Sequence, residues 1–160
     1  MGIYMKYGEI KGDATQEGFQ HWINITGFQW SGAVSRKIET HTGKGRNREQ
    51  AQPHVSQITI TKEVDHSSGP LYKSLVSVPQ AKDCRIAFVR TDEGGETYLE
   101  YNLTDALLAN LKLNGDGDRA SEIWTLDFTK IKISVKQLSE ANESSNAFHF
   151  EYDLATGKGH

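Results

Sequence analysis

Residues 122–135, EIWTLDFTKIKISV, hold the longest β-patterned run in the chain. Ile123, Thr125, Asp127, Thr129, Ile131, Ile133 and Val135 share one phase of a two-residue period, the alternation of a half-buried strand. Shorter runs of the same kind lie outward from it. Residues 3–7 close at Gly8. In residues 21–30 (HWINITGFQW), Trp22, Asn24 and Thr26 alternate with Ile23 and Ile25, and Gly27 marks a change of register. Residues 55–64 (VSQITITKEV) are β-branched and alternating. Residues 85–90 (RIAFVR) and 97–103 (TYLEYNL) flank Asp92-Glu93-Gly94-Gly95, a hairpin signal, and residues 147–152 (AFHFEY) finish the series. Clusters of Gly, Asn and Asp between short alternating runs predict a mainly β chain.

One helix is signalled. Ser67 and Ser68 are candidate N-caps, Pro70 suits the first turn, and Leu71, Tyr72, Leu75 and Val76 form its apolar stripe. The helix should stop before Pro79 and present Lys73 and Ser74 on its outer face. Residues 104–113 (TDALLANLKL) are balanced: Ala and Leu favour a helix, whereas their place between strands favours a strand.

The chain has 160 residues and a mass of 17.9 kDa, so a single domain over 1–160 is expected. Hydrophobic residues make up 36%, and no apolar run approaches the ~18 residues of a membrane helix. Lys and Arg number 18 against 21 Asp and Glu; the net charge of −3 argues against general nucleic-acid binding. A single cysteine excludes a disulfide within the chain and a zinc finger. The N-terminus lacks the pattern of a secretory signal peptide, so synthesis in the cytoplasm without that route is expected, and export by another machine stays open.

Residues 35–53 (SRKIETHTGKGRNREQAQP) form a long, nearly apolar-free connection with Arg36, Lys37, Lys44, Arg46 and Arg48 against only Glu39 and Glu49. A loop of this length inside a compact domain is usually functional, and a protruding contact arm is expected. Its acidic partners would be a neighbour's Asp92/Glu93/Glu96 turn or its Asp116/Asp118/Glu122 turn. Catalytic patterns are missing. Gly43-Lys44 lacks the rest of a phosphate loop, none of the six histidines has HxH or HxxxH spacing, and no serine sits in a G-x-S-x-G elbow. Cys84 carries no nucleophile signature, and Asp116, Asp118 and Glu122 do not fill a calcium-loop pattern. No cofactor, metal or catalytic residue is therefore expected. A rival reading, a monomeric carbohydrate-binding barrel, would use Trp22, Trp30 and Trp124 as a stacking platform.

Several motifs in order resemble the haemolysin-coregulated protein (Hcp) family, the tube protein of bacterial type VI secretion systems. They are Tyr4-Met-Lys-Tyr-Gly-Glu-Ile-Lys-Gly-Asp, His21-Trp-Ile with Gly27-Phe-Gln-Trp-Ser, and Ile60-Thr-Lys-Glu-Val-Asp-His-Ser-Ser. Leu71 to Leu75 (LYKSL), Asn114-Gly-Asp-Gly-Asp-Arg, Leu126-Asp-Phe-Thr-Lys-Ile and Tyr152-Asp-Leu-Ala-Thr-Gly-Lys continue the likeness. The T-K-x-x-D-x-S-S stretch is the most specific piece. The resemblance implies a small β-barrel of two packed antiparallel sheets with one helix, like phage tail-tube proteins, and it makes residues 104–113 a strand. It also implies rings of six that stack into a hollow tube, a contractile sheath around it, a spike at its tip, effectors in its lumen, and expulsion from the cell. Gln29, alternating with Phe28 and Trp30, is the candidate lumen residue. Where the family has a long glycine stretch, the arm carries Gly43-Lys-Gly-Arg-Asn-Arg, and no C-terminal extension large enough for a fused toxin follows.

Overall fold

Two crossings between sheets, one at Thr26 and one at Asp105, organise the molecule. The computed structural model describes residues 2–30, 34–36, 53–90, 95–115, 117–136, 148–154, 156 and 158–159. In chain order its elements are β1 (Gly2–Tyr7), β2 (Ile23–Ile25), β3 (Gly27–Gln29), β4 (Val34–Arg36), β5 (Pro53–Val55), β6 (Ile58–Glu63) and helix α1 (Ser68–Val76). There follow β7 (Lys82–Val89), β8 (Thr97–Asn114), β9 (Ser121–Asp127), β10 (Lys130–Val135), β11 (Phe148–Asp153) and β12 (Lys158–Gly159). All pairings are antiparallel.

The first sheet runs β12-β11-β10-β8-β7-β1-β2, and the second runs β3-β6-β9 to the far half of β8. β8 serves both. Residues 97–106 pair with β7 and β10, and residues 107–114 pair with β9. The turn between the halves is made at Asp105, whose φ of 53° is left-handed, and Thr129 donates its hydroxyl to the Asp105 carboxylate at 3.2 Å. The second crossing is at Thr26, whose N–H and hydroxyl both donate to the Thr61 carbonyl, carrying the chain from β2 into β3. The fold is mainly β and antiparallel with one helix, as expected. The barrel is not closed among the described residues.

Met5, Tyr7, Ile23, Ile86, Leu103 and Ile131 from the first sheet meet Ile58, Ile60, Trp124 and Leu126 from the second, with Leu71 of the helix on the same core. Each such side chain contributes roughly 1.5–3 kcal/mol by leaving water. Phe28 bridges the sheets, 5.0 Å from Phe88 and 4.9 Å from Tyr101, and Trp30 stacks edge-on against Tyr101. Gln29, between them, is exposed.

Residues 104–113 are strand, because pairing with β9 outweighs their helical propensity. The 122–135 run is two strands rather than one. In β9 the buried phase is Glu122, Trp124 and Leu126, opposite to the phase expected. Phe128 keeps that buried phase, and the turn at Thr129 shifts it by one position, so Ile131 returns to the core in β10. Both phases of the run carry apolar groups, and the larger area of Trp124 and Leu126 decides between them. The helix ends before Pro79 as expected, and of the two candidate serines Ser67 is the N-cap residue, its carbonyl accepting the Leu71 N–H, though its side chain makes no capping bond. Val76, assigned to the apolar stripe, is 83% exposed. Lys73 is exposed, whereas Ser74 is half-buried with its hydroxyl toward the Tyr7 phenol, so only Lys73 belongs to the outer face.

Candidate functional site

The T-K-x-x-D-x-S-S stretch folds into a buried polar cluster where β6 enters the helix. Lys62 and Glu122 are direct cross-strand partners, and both are fully buried. The Lys62 ammonium lies 2.9 Å from Glu122 Oε1 and 3.1 Å from Asp65 Oδ1; it also donates to Ser68 Oγ and to the Glu63 carbonyl. Ser68 donates its hydroxyl to Glu122 Oε1 at 2.5 Å, and Trp124 donates its indole N–H to the other carboxylate oxygen at 3.3 Å. Asp65 accepts the Ser67 N–H at 2.8 Å and holds the Ser67 hydroxyl, while its own N–H reaches Ser68 Oγ. Among the described residues no buried side-chain polar atom lacks a partner. The cluster ties the helix N-terminus to the second sheet, and stacking of Tyr72 on Trp124 extends the tie. Burial, together with the Glu122 carboxylate, pushes the Tyr72 phenol above its usual value.

The cluster corrects one assignment. Glu122, taken as an exposed partner for a neighbour's arm, is buried and already paired with Lys62, so it offers no charge to a second chain. Trp124 is equally removed from any stacking platform, being fully buried, and Trp30 donates its indole N–H inward to the Ser56 carbonyl. Only Trp22 of the three stands on the outer face of the first sheet, where Phe19 meets it edge-on and the Arg85 guanidinium lies 5.4 Å from its ring.

Of the arm, Arg36 lies in β4, which pairs with β5 at the arm's base. Lys37, Lys44, Arg46 and Arg48 fall outside the described residues, as do Asp92, Glu93 and Asp116. Glu96 and Asp118 are exposed. Among the described residues no group of three or more His, Cys, Asp or Glu is placed to hold a metal ion. Cys84 is buried, and its thiol is pushed well above its usual value by that burial. No helix of the described residues is long and apolar enough to cross a membrane.

Among the described residues several strand edges are unpaired, with β2 and β3 each pairing on one side only, and two edges carry large exposed apolar side chains. Among the described residues, the far half of β8 pairs on one side only, with β9, and β12 covers only Tyr152 and Asp153 of β11. Leu113, 58% exposed, lies on the first edge and Phe148, 71% exposed, on the second.

The sequence model of a family described as "Type VI secretion system effector, Hcp" matches residues 4–135. The chain belongs to the Hcp family of type VI secretion systems. A solved structure described as a type six secretion system protein superposes with a TM-score of 0.88 at 16% identity, covering 99% of each chain. Hcp1 from Salmonella typhimurium gives 0.78 at 18% identity over 99% of this chain and 98% of its own. Secreted protein Hcp3 from Pseudomonas aeruginosa gives 0.61 at 18%, over 92% and 95%. At these identities the structures attest the shared fold. No curated protein sequence matches the chain.

Proposed function

We propose that the chain is the structural tube subunit of a type VI secretion system, closing head to tail into a ring of six, with rings stacking into a hollow tube. The observation that carries this reading is the presence of open strand edges, two of them bearing exposed Leu113 and Phe148, on a chain of the Hcp family. An unpaired row of backbone N–H and C=O groups is a template for a second chain. Two different edges on one chain make a heterologous contact, which closes into a ring when the rotation per copy returns to the start. A sheath outside, a spike at the tip and effectors inside follow from the tube role, as does export without a signal peptide. Gln29 is the lumen residue in this reading, and no catalysis, cofactor or nucleic acid enters it.

The arm from Arg36 to Arg48 joins ring to ring by meeting the Asp92/Glu93/Glu96 turn of a neighbour. Exposed pairs contribute only ~0.2–1 kcal/mol each, so several act together and stacking weakens as salt rises.

The edges are tested by Leu113→Lys with Phe148→Lys, since a lysine on an edge blocks pairing and both side chains are already exposed. Ring content should fall while the unfolding midpoint stays where it is. Rings forming as in the unaltered chain would refute the edges as the contact.

A further inference from the structure

Two adjoining clefts, each about 440 Å3, run along one side of the molecule from the helix C-terminus to the outer ends of β1 and β7, with Lys82 in the wall of both. The one beneath the helix is lined by Ile10, Pro70 and Val78 with Lys73 at its rim. Val78 is 83% exposed, a large apolar side chain left in water beside two ammonium groups. Lys82 lies over the Tyr7 ring, 5.8 Å from its centre, and Gly8 makes room for it: a Cβ there would stand 2.6 Å from the Lys82 chain. The second cleft adds Lys6 and Arg85 but also Glu9 and Asp83, so the positive excess sits at the Lys73–Lys82 end.

The complementary shape is on the same chain. The connection from β8 to β9 reads Leu113-Asn-Gly-Asp-Gly-Asp before Arg119, two acids and no base. Leu113 is exposed. Arg119 is turned back, donating to Glu63 at 3.0 Å and to the Val64 carbonyl at 3.1 Å, which leaves exposed Asp118 facing water without it. Lys82 pairs with Ala106, and Leu113 lies seven residues further along β8, past the register shift between Leu108 and Asn110. At ~3.3 Å per residue this places the turn up to about 23 Å along the strand from the Lys82 end of the cleft.

We propose that the cleft beneath the helix receives the β8–β9 turn of a second copy of this chain, Leu113 against Val78 and Asp118 against Lys73 and Lys82. The contact is heterologous, one copy's turn in the next copy's cleft, so it leaves a free turn and a free cleft for further copies until a ring closes. It rests on the tube reading in requiring that copies associate, and it adds where on the helix side the next copy sits.

The test mixes Gly115→Cys and Val78→Cys chains with oxidised glutathione and follows disulfide-linked dimer. Both positions are open, so neither substitution disturbs the fold, and Cys84 is buried and gives no background. A mixture of Gly115→Cys with Val135→Cys is the control, Val135 being exposed on the first sheet. Linked dimer forming at least about tenfold faster in the first mixture supports the contact, and adding Lys73→Glu to the Val78→Cys chain should slow it. Equal rates in the two mixtures overturn the proposal. Light scattering of the unaltered chain separates the two failures: assembly with equal linking rates refutes the cleft alone, whereas a monomer at every concentration refutes the tube reading and the cleft with it.

Discussion

Replacing Lys62 by methionine should cost far more than the loss of a surface ion pair. Methionine fills nearly the same volume, so packing is kept while the ammonium is removed. The Glu122 carboxylate is then left fully buried, with only the Ser68 hydroxyl and the Trp124 N–H to face it. Breaking a buried pair by removing one partner costs about 3–5 kcal/mol, a fifth or more of the ~5–15 kcal/mol that holds a domain folded. With a urea slope of about 2 kcal/mol/M, the midpoint should fall by roughly 2 M. A second substitution, Glu122→Gln, removes the stranded charge but keeps an oxygen for the Trp124 N–H. Lys62→Met with Glu122→Gln should therefore recover at least about 2 kcal/mol of the loss, because replacing both members of a buried pair is often near neutral. Urea unfolding of the four members of this cycle measures the coupling directly. A Lys62→Met cost below about 1 kcal/mol, the range of exposed pairs, would refute the cluster as an anchor for the helix.

Asp105 sits at φ 53° where β8 changes sheets, so Asp105→Gly should be close to neutral, while Asp105→Val should cost about 1–3 kcal/mol in thermal unfolding; a neutral valine would show that the corner is not strained. Cys84 should react with a thiol reagent only as fast as the protein opens, and labelling faster than unfolding would contradict its burial. Its thiol is held protonated by burial, so its folded value lies above its unfolded one. Stability from this group is therefore complete below about pH 8.5 and declines as the pH rises beyond it, and the buried Tyr7 and Tyr101 phenols, shifted the same way, act in the same sense at higher pH. Stability rising between pH 9 and 11 would contradict that sign.

The alternation in residues 55–64 and 97–103, and the helix before Pro79, were legible because period and punctuation agree there. The β8 corner was not, since nothing in T-D-A-L-L states that an aspartate adopts a left-handed backbone, and the strand was carried by its partners. The buried cluster was half legible. Lys62 extends the phase of Ile58 and Ile60, and Glu122 that of Trp124 and Leu126, so opposite charges stand in line with two apolar faces. That pattern signals a buried pair only once the two strands are known to be neighbours. Glu122 beside Asp118 otherwise reads as part of an acidic turn. The same dependence hides the open edges and the cleft, because pairing over distant sequence is what leaves them uncovered.

The claim that this chain builds rings is tested most directly by its mass in solution, taken by light scattering over a range of concentration with negative-stain images of the same sample. The account predicts particles of six times 17.9 kDa with an open centre, and longer stacks as salt is lowered. A 17.9 kDa monomer persisting to roughly millimolar concentration, with no ring in the images, would contradict it.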